Sequence, residues 1–247
     1  MVVPARMGSS RYPGKPLVQL AGLPMVEHVR RRSLLAKGIN RVVVATCDEE
    51  IQIVVQSFGG EVVMTSAQHE RCSERVAEAA RGAKEEIIVN VQGDEPLMHP
   101  EHVEKVLEPF RDPAVDVVSL LSPLHDDRDI SSPAVVKAVR RVNGDVLFYT
   151  RSPIPYFIKK TECQLFRETG IRAFRSRNLQ EYAKLPETPL ERAEAVDMLR
   201  FLEHGISVRG AEVAGVTSGV DFPEDVAPTE KILATDPVQK ALLKKYL

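Results

Sequence analysis

The chain has 247 residues with 33 Lys+Arg against 35 Asp+Glu, a formal net charge of −2, and 43% hydrophobic residues. That balance excludes a disordered or fibrous chain, and no global basic field advertises nucleic acid or an anionic membrane surface as a partner. No apolar run approaches the length of a membrane span, the start at Met1–Arg6 reads as lacking a secretory leader, and three scattered cysteines suit a reducing cytoplasm better than a disulfide or zinc framework.

In chain order, short apolar runs alternate with amphipathic stretches. Val2-Val3 reads as a first strand. Met25 to Ala36 reads as a helix, and Arg41–Thr46 is a β-branched strand ending before Asp48. Asp48 is placed to cap a helix that begins Glu49-Glu50. Glu61–Met64 and Glu86–Val91 read as further strands, with helices at Ser73–Ala83 and Pro100–Phe110 and a strand at Val117–Leu121. Unbroken apolar strands with helices between them predict an α/β fold, a mostly parallel sheet covered on both faces. Asn143-Gly144-Asp145 predicts a hairpin inside a β-rich lobe inserted at about 134–180. Leu190 to His204 reads as one helix ending at Gly205, and Ala241–Leu247 as a solvated helical tail.

Two stretches carry chemistry. Pro4-Ala5-Arg6-Met7-Gly8-Ser9-Ser10-Arg11-Tyr12-Pro13-Gly14-Lys15 follows the first strand, where open α/β sheets bind ligands. Its glycines and serines suit a backbone cradle for phosphate, and Arg6, Arg11 and Lys15 supply charge enough for a triphosphate. It is neither a Walker A loop, since Pro16 follows Lys15, nor a G-x-G-x-x-G loop. A solvated basic turn is the plain alternative. Val89–Val91 then runs into Gln92-Gly93-Asp94-Glu95, and a second acidic loop spans Gly219–Asp225. Strand-end carboxylates suit Mg2+, which prefers oxygen ligands and keeps substrate phosphates in its shell. The alternatives are a capping turn into the Pro100 helix and an ordinary loop at Asp221. His99 and His102, three apart at a helix start, read as caps rather than zinc ligands.

Taken together these motifs resemble the cytidylyltransferases that activate 3-deoxy-manno-octulosonate (KDO) with CTP. The match runs in order through Arg6–Leu17, Val44–Thr46 with Asp48, Val91–Pro96 and Gly219–Asp225. The resemblance implies a nucleotide-diphospho-sugar transferase-like three-layer α/β sandwich, a single domain over 1–247, and a homodimer through the inserted lobe. It implies nucleotide binding by Ala5, Arg6, Gly8, Ser9, Ser10, Arg11, Lys15 and Gln92, with the segment His69–Arg75 nearby. Arg6, Lys15 and Asp94 would be catalytic, and Asp94 and Asp221 would hold Mg2+. The implied reaction is attack of an acidic acceptor on the α-phosphorus of CTP.

The departures from the family pattern fall on the acceptor side. The usual His-x-Ser-Gly-Thr-Asp/Glu-Arg is His69-Glu70-Arg71-Cys72-Ser73-Glu74-Arg75 here. His-x-Gly-x-Tyr becomes Glu168-Thr169-Gly170-Ile171-Arg172, and Glu-Gln-Leu-Arg becomes Asp197-Met198-Leu199-Arg200. Arg71, Arg75, Glu168, Arg172 and Met198 are therefore the candidate acceptor residues, with Arg151 approaching from the segment before the lobe. Arg71 and Arg172 read either as two forks for an anion, which keeps a small phosphonate such as phosphonoformate open beside KDO, or as surface or interface salt-bridge partners. A non-catalytic nucleotide-binding protein is the third reading. Cys72, between two arginines, is either an activated thiol or a small space filler.

Overall fold

The computed structural model describes residues 1–9, 11–159, 163–214 and 219–247. Ser10, expected at the nucleotide, lies outside them. In chain order the strands are β1 (Val2–Pro4), β2 (Gln19–Leu20), β3 (Leu23–Pro24), β4 (Val43–Thr46), β5 (Glu61–Met64), β6 (Ile87–Val91), β7 (Val117–Leu124), β8 (Lys137–Arg140), β9 (Val146–Thr150), β10 (Leu165–Arg175) and β11 (Arg209–Glu212). The helices are α1 (Met25–Ser33), α2 (Glu49–Ser57), α3 (Cys72–Ala79), α4 (Pro100–Leu107), α5 (Asp127–Ser131), α6 (Ser176–Tyr182), α7 (Pro189–Glu194), α8 (Met198–Glu203), α9 (Val226–Thr235) and α10 (Pro237–Tyr246).

The main sheet runs β11-β7-β10-β6-β1-β4-β5. Every neighbouring pair along that path is parallel except the two that β10 makes, with β6 and with β7. Side chains alternate across it as the strand period demands. Val3, Val44, Val89 and Val91 pack with α1, α2 and α4 on one face, while Val2, Val43, Ala45 and Ile88 pack with α3, α6 and α8 on the other. The result is the expected three-layer α/β sandwich with a mostly parallel sheet.

Four local expectations need correction. Within the segment read as an inserted lobe (134–180), β8 and β9 form the expected hairpin, but β10 lies in the middle of the main sheet. Its charged residues Arg167, Glu168 and Arg172 mask the apolar alternation of a buried strand. The single helix read over Leu190–His204 is two helices, broken where Ala195 takes a left-handed φ of 51°. Asp48 does not cap α2; its carboxylate accepts from the backbone N–H of Met7 at 2.8 Å and fastens the nucleotide loop. The C-terminal helix is docked rather than solvated: Leu242 is buried, and the Tyr246 hydroxyl meets His28 Nδ1 and Arg32 Nε, both at 2.9 Å.

Candidate active site

The carboxyl ends of β1 and β6 open into one cleft with two lobes. Gly93 lets them approach: a Cβ there would stand 2.8 Å from the carbonyl oxygen of Pro4. The first lobe is lined by Ala5, Arg6, Ser9, Arg11, Lys15 and Gln92 on one side and His69–Cys72 with Arg75 on the other. The second, a cavity of about 520 Å³, shares Arg6, Arg11, Arg71, Cys72, Gln92 and Asp94 with the first. It continues to Arg151, Arg167, Glu168, Arg172, Asp197 and Asp221.

At the junction the charges converge. Lys15 Nζ lies 2.5 Å from Asp94 Oδ2 and 3.2 Å from Asp221 Oδ1, and it donates to the carbonyl of Val220 at 3.2 Å. Arg11 pairs with Asp221 at 2.8 Å and covers the ring of Phe222. The two acidic loops are stitched by Val220 N–H donating to Asp94 O at 2.9 Å, and Asp225 holds the N–H groups of Asp221 and Phe222. Neither bland alternative for the acids holds, since His99 caps α4 and the Asp221 side chain faces the cleft cations. Burial opposes the charge on Lys15, but Asp94 and then Asp221 outweigh it, and its pKa is raised. Lys15 is therefore a fixed cation. Among the described residues nothing engages the guanidinium of Arg6, which is exposed and free to take a phosphate.

The backbone cradle is smaller than expected. Ser9 N–H and Gly14 N–H both donate to Met7 O at 2.9 Å, and the Ser9 hydroxyl accepts from Tyr12 N–H. Those donors shape the loop, and the side chains of Arg6, Arg11 and Lys15 are what it offers. Gly8 does not line either lobe.

The acceptor lobe departs further from expectation. Arg172 does not present a free fork. It is buried between Glu168 and Asp197, 2.7 Å from each, and Asp197 in turn accepts from the Ser73 hydroxyl at 2.6 Å. Burial disfavours charge on Asp197, but Arg172 and Ser73 outweigh it and hold its carboxyl below the usual range. One arm of the Arg71 guanidinium is held 2.6 Å from Glu187, while its buried Nε has no hydrogen-bond partner among the described residues. Arg75 is absent from the acceptor lobe; it lines the nucleotide lobe and donates to the Thr65 hydroxyl. Met198 reaches neither lobe and is fully buried in the core beside Phe201. Cys72 is no activated thiol: burial, with Asp197 adding to it, pushes it up to about 12.

Gly170, at φ 75°, keeps the β10 bulge close to Gln92, whose side chain a Cβ would approach to 3.1 Å. The bulge between Glu168 and Arg172 turns both side chains into the lobe. Arg151 stands out here because, among the described residues, its guanidinium bonds only carbonyls, those of Glu194 at 2.7 Å and Pro133 at 2.9 Å among them. Glu95, the second carboxylate of the strand-end pair, is buried beneath the junction. Burial and then Asp94 raise its carboxyl well above the usual range.

Among the described residues no three His, Cys, Asp or Glu side chains converge as for a protein-bound metal ion. Two carboxylates do converge on one cation, Lys15. That donor set fits Mg2+, whose remaining positions go to water and substrate phosphate.

Comparison with known proteins finds relatives along the whole chain. A family model described as cytidylyltransferase matches residues 1–209. A 3-deoxy-manno-octulosonate cytidylyltransferase of Myxococcus xanthus is 44% identical over 234 residues, covering 94% of this chain and 95% of its own. The enzyme of that name from Escherichia coli is 38% identical over 242 residues, covering 98% of both chains. A solved structure of CMP:2-keto-3-deoxy-manno-octonic acid synthetase complexed with CTP superposes with a TM-score of 0.89 at 39% identity, covering 95% of this chain and 98% of that one.

Proposed function

This chain belongs to the cytidylyltransferase family, and from that premise we propose that it transfers CMP from CTP to a hydroxyl of 3-deoxy-manno-octulosonate or a close 2-keto sugar acid. One observation carries the reading: Arg11 and Lys15 meet Asp94 and Asp221 at the junction of a nucleotide lobe and an acceptor lobe, with Arg6 lining both lobes beside them.

The acceptor oxygen attacks the α-phosphorus of CTP. A new P–O bond forms, the bond to the bridging oxygen of the β-phosphate breaks, pyrophosphate leaves, and the hydroxyl proton is released. Such chemistry needs in-line positioning and neutralised charge more than covalent help. Arg6 and Lys15 hold the phosphates and balance charge that grows on pyrophosphate. Asp94 and Asp221 would hold Mg2+, which when bound neutralises phosphoryl oxygens. Arg151, its charge unmatched by a side-chain carboxylate, suits the carboxylate of the acceptor.

The phosphonate reading depended on Arg71 and Arg172 as free forks. Both are paired, and the Glu168–Arg172–Asp197 group carries one surplus negative charge, which repels a second anion and accepts hydrogen bonds from sugar hydroxyls. A homodimer is part of the proposal: Tyr156 and Ile158 are 91% and 87% exposed with Phe157 between them, an apolar face that a second copy would cover. A cytoplasmic setting suits the free thiols of Cys47, Cys72 and Cys163. The test is pyrophosphate release with CTP and a panel of acids. KDO should turn over and phosphonoformate should not; turnover only with phosphonates would overthrow the acceptor assignment, and none with any acid would leave a binding protein.

A further inference from the structure

Lys15 occupies an unusual place for a phosphate-binding lysine. Its ammonium, at the edge of the nucleotide lobe, sits between two carboxylates from loops far apart in the chain, 2.5 Å from Asp94 and 3.2 Å from Asp221. Its side chain is only 11% exposed. Without it Asp94 and Asp221 would face each other as like charges, a repulsive arrangement in a partly buried site. Arg11 adds a second cation on Asp221 at 2.8 Å, so the two carboxylates and two cations sum to zero.

The same two carboxylates are the ones that fit a divalent cation, so protein and metal compete for one set of oxygens. We propose that Lys15 is a placeholder for that cation: it keeps the Asp94 and Asp221 loops gathered in the free enzyme and surrenders both carboxylates when metal and nucleotide arrive together. The triphosphate makes the exchange favourable, because it offers Lys15 and Arg11 new anionic partners at the moment they give up the old ones. Metal alone must displace Lys15 into solvent and gains no such compensation. Metal and nucleotide therefore bind with positive coupling, and the coupling is reciprocal. Lys15 is a positioning residue in the free state and a phosphate ligand in the loaded one.

This inference rests on the reading of Asp94 and Asp221 as metal ligands, and the experiment separates the two. Mn2+ is titrated into the full-length protein and free Mn2+ is followed by electron paramagnetic resonance, with and without CTP. The native protein, Lys15→Met, Lys15→Arg and the double variant Lys15→Met/Asp94→Asn are compared, with thermal melts to confirm folding. Without CTP, Lys15→Met should bind Mn2+ at least about tenfold tighter than the native protein, and the gain in Mn2+ affinity on adding CTP should shrink by a similar factor. Lys15→Arg, which keeps the cation, should stay near the native value, and the double variant should lose the gain. Native protein that takes up Mn2+ with CTP, paired with a Lys15→Met variant whose Mn2+ affinity without CTP is unchanged or weaker, would overturn the placeholder while leaving the metal ligands standing. No Mn2+ uptake in any form beyond that of CTP alone would remove the metal ligands and the placeholder together.

Discussion

The two lobes of the cleft are built on opposite plans. The nucleotide lobe draws Arg6, Arg11 and Lys15 from one contiguous loop, and one of them, Arg6, is left without a partner among the described residues. The acceptor lobe draws its charges from β10, the α7–α8 break and the start of α3, and ties most of them to each other. A lobe meant for a highly charged triphosphate can leave cations waiting because solvent screens them. A buried wall cannot, because an unpaired charge taken out of water costs several kcal/mol. The consequence is that charge in the first lobe is available to substrate, whereas charge in the second shapes the wall.

The sharpest way to break that contrast is at the junction. Lys15→Ala and Asp94→Asn should each lower turnover by about a thousandfold, roughly 4 kcal/mol of transition-state stabilisation, with thermal melts confirming that each variant is folded. Pyrophosphate release measures it, and near-native activity in either variant would remove that residue from the chemistry.

In the acceptor lobe the expected effect is on stability first. Arg172→Met strands Glu168 and Asp197 as buried carboxylates, which should cost about 3–5 kcal/mol in denaturant unfolding. The pH dependence follows from Asp197. Its folded carboxyl is held below the usual range, so it contributes stability that is fully present above about pH 4 and is lost as pH falls through the depressed value. Without Arg172 that depression goes, and acid unfolding should begin at higher pH than in the native protein. An unchanged acid midpoint would mean that the clamp does not hold Asp197 ionised.

Arg6→Ala tests the opposite property. Because the side chain is exposed and unpaired, stability should stay within about 0.5 kcal/mol of native, while KM for CTP rises about tenfold, as expected for one lost charge-assisted contact. The smallest effect is expected at Met198→Leu. This side chain is in the core rather than in the lobe, so the exchange should cost under about 1.5 kcal/mol and leave KM for the acceptor unchanged.

The same contrast explains what could be read from the sequence. The parallel strands and the nucleotide loop were legible because their signals are local: Val43–Thr46 and Ile87–Val91 are continuous apolar runs, and Arg6, Arg11 and Lys15 lie within ten residues. β10 was not legible as a strand, because Arg167, Glu168 and Arg172 look like surface residues until their partners are known. The break at Ala195 carries no glycine or proline to announce it. It is imposed by tertiary structure, where Asp197 is drawn to Arg172 and Ser73. Arg71 and Arg172 were misread as free forks for the same reason: Glu187 and Asp197, which neutralise them, are 116 and 25 residues away in the chain. Asp48 carried a good helix-capping signal, yet its carboxylate serves Met7 across 41 residues.

The most direct test of the central claim is a crystal structure of the protein with a non-hydrolysable CTP analogue, Mg2+ and a sugar acid bound. The account predicts the triphosphate lying between Arg6 and Lys15 on one side and Asp94 and Asp221 on the other, with the acid in the lobe walled by Glu168, Arg172 and Asp197. A triphosphate bound elsewhere, with Lys15 still clasped between the two carboxylates, would contradict it.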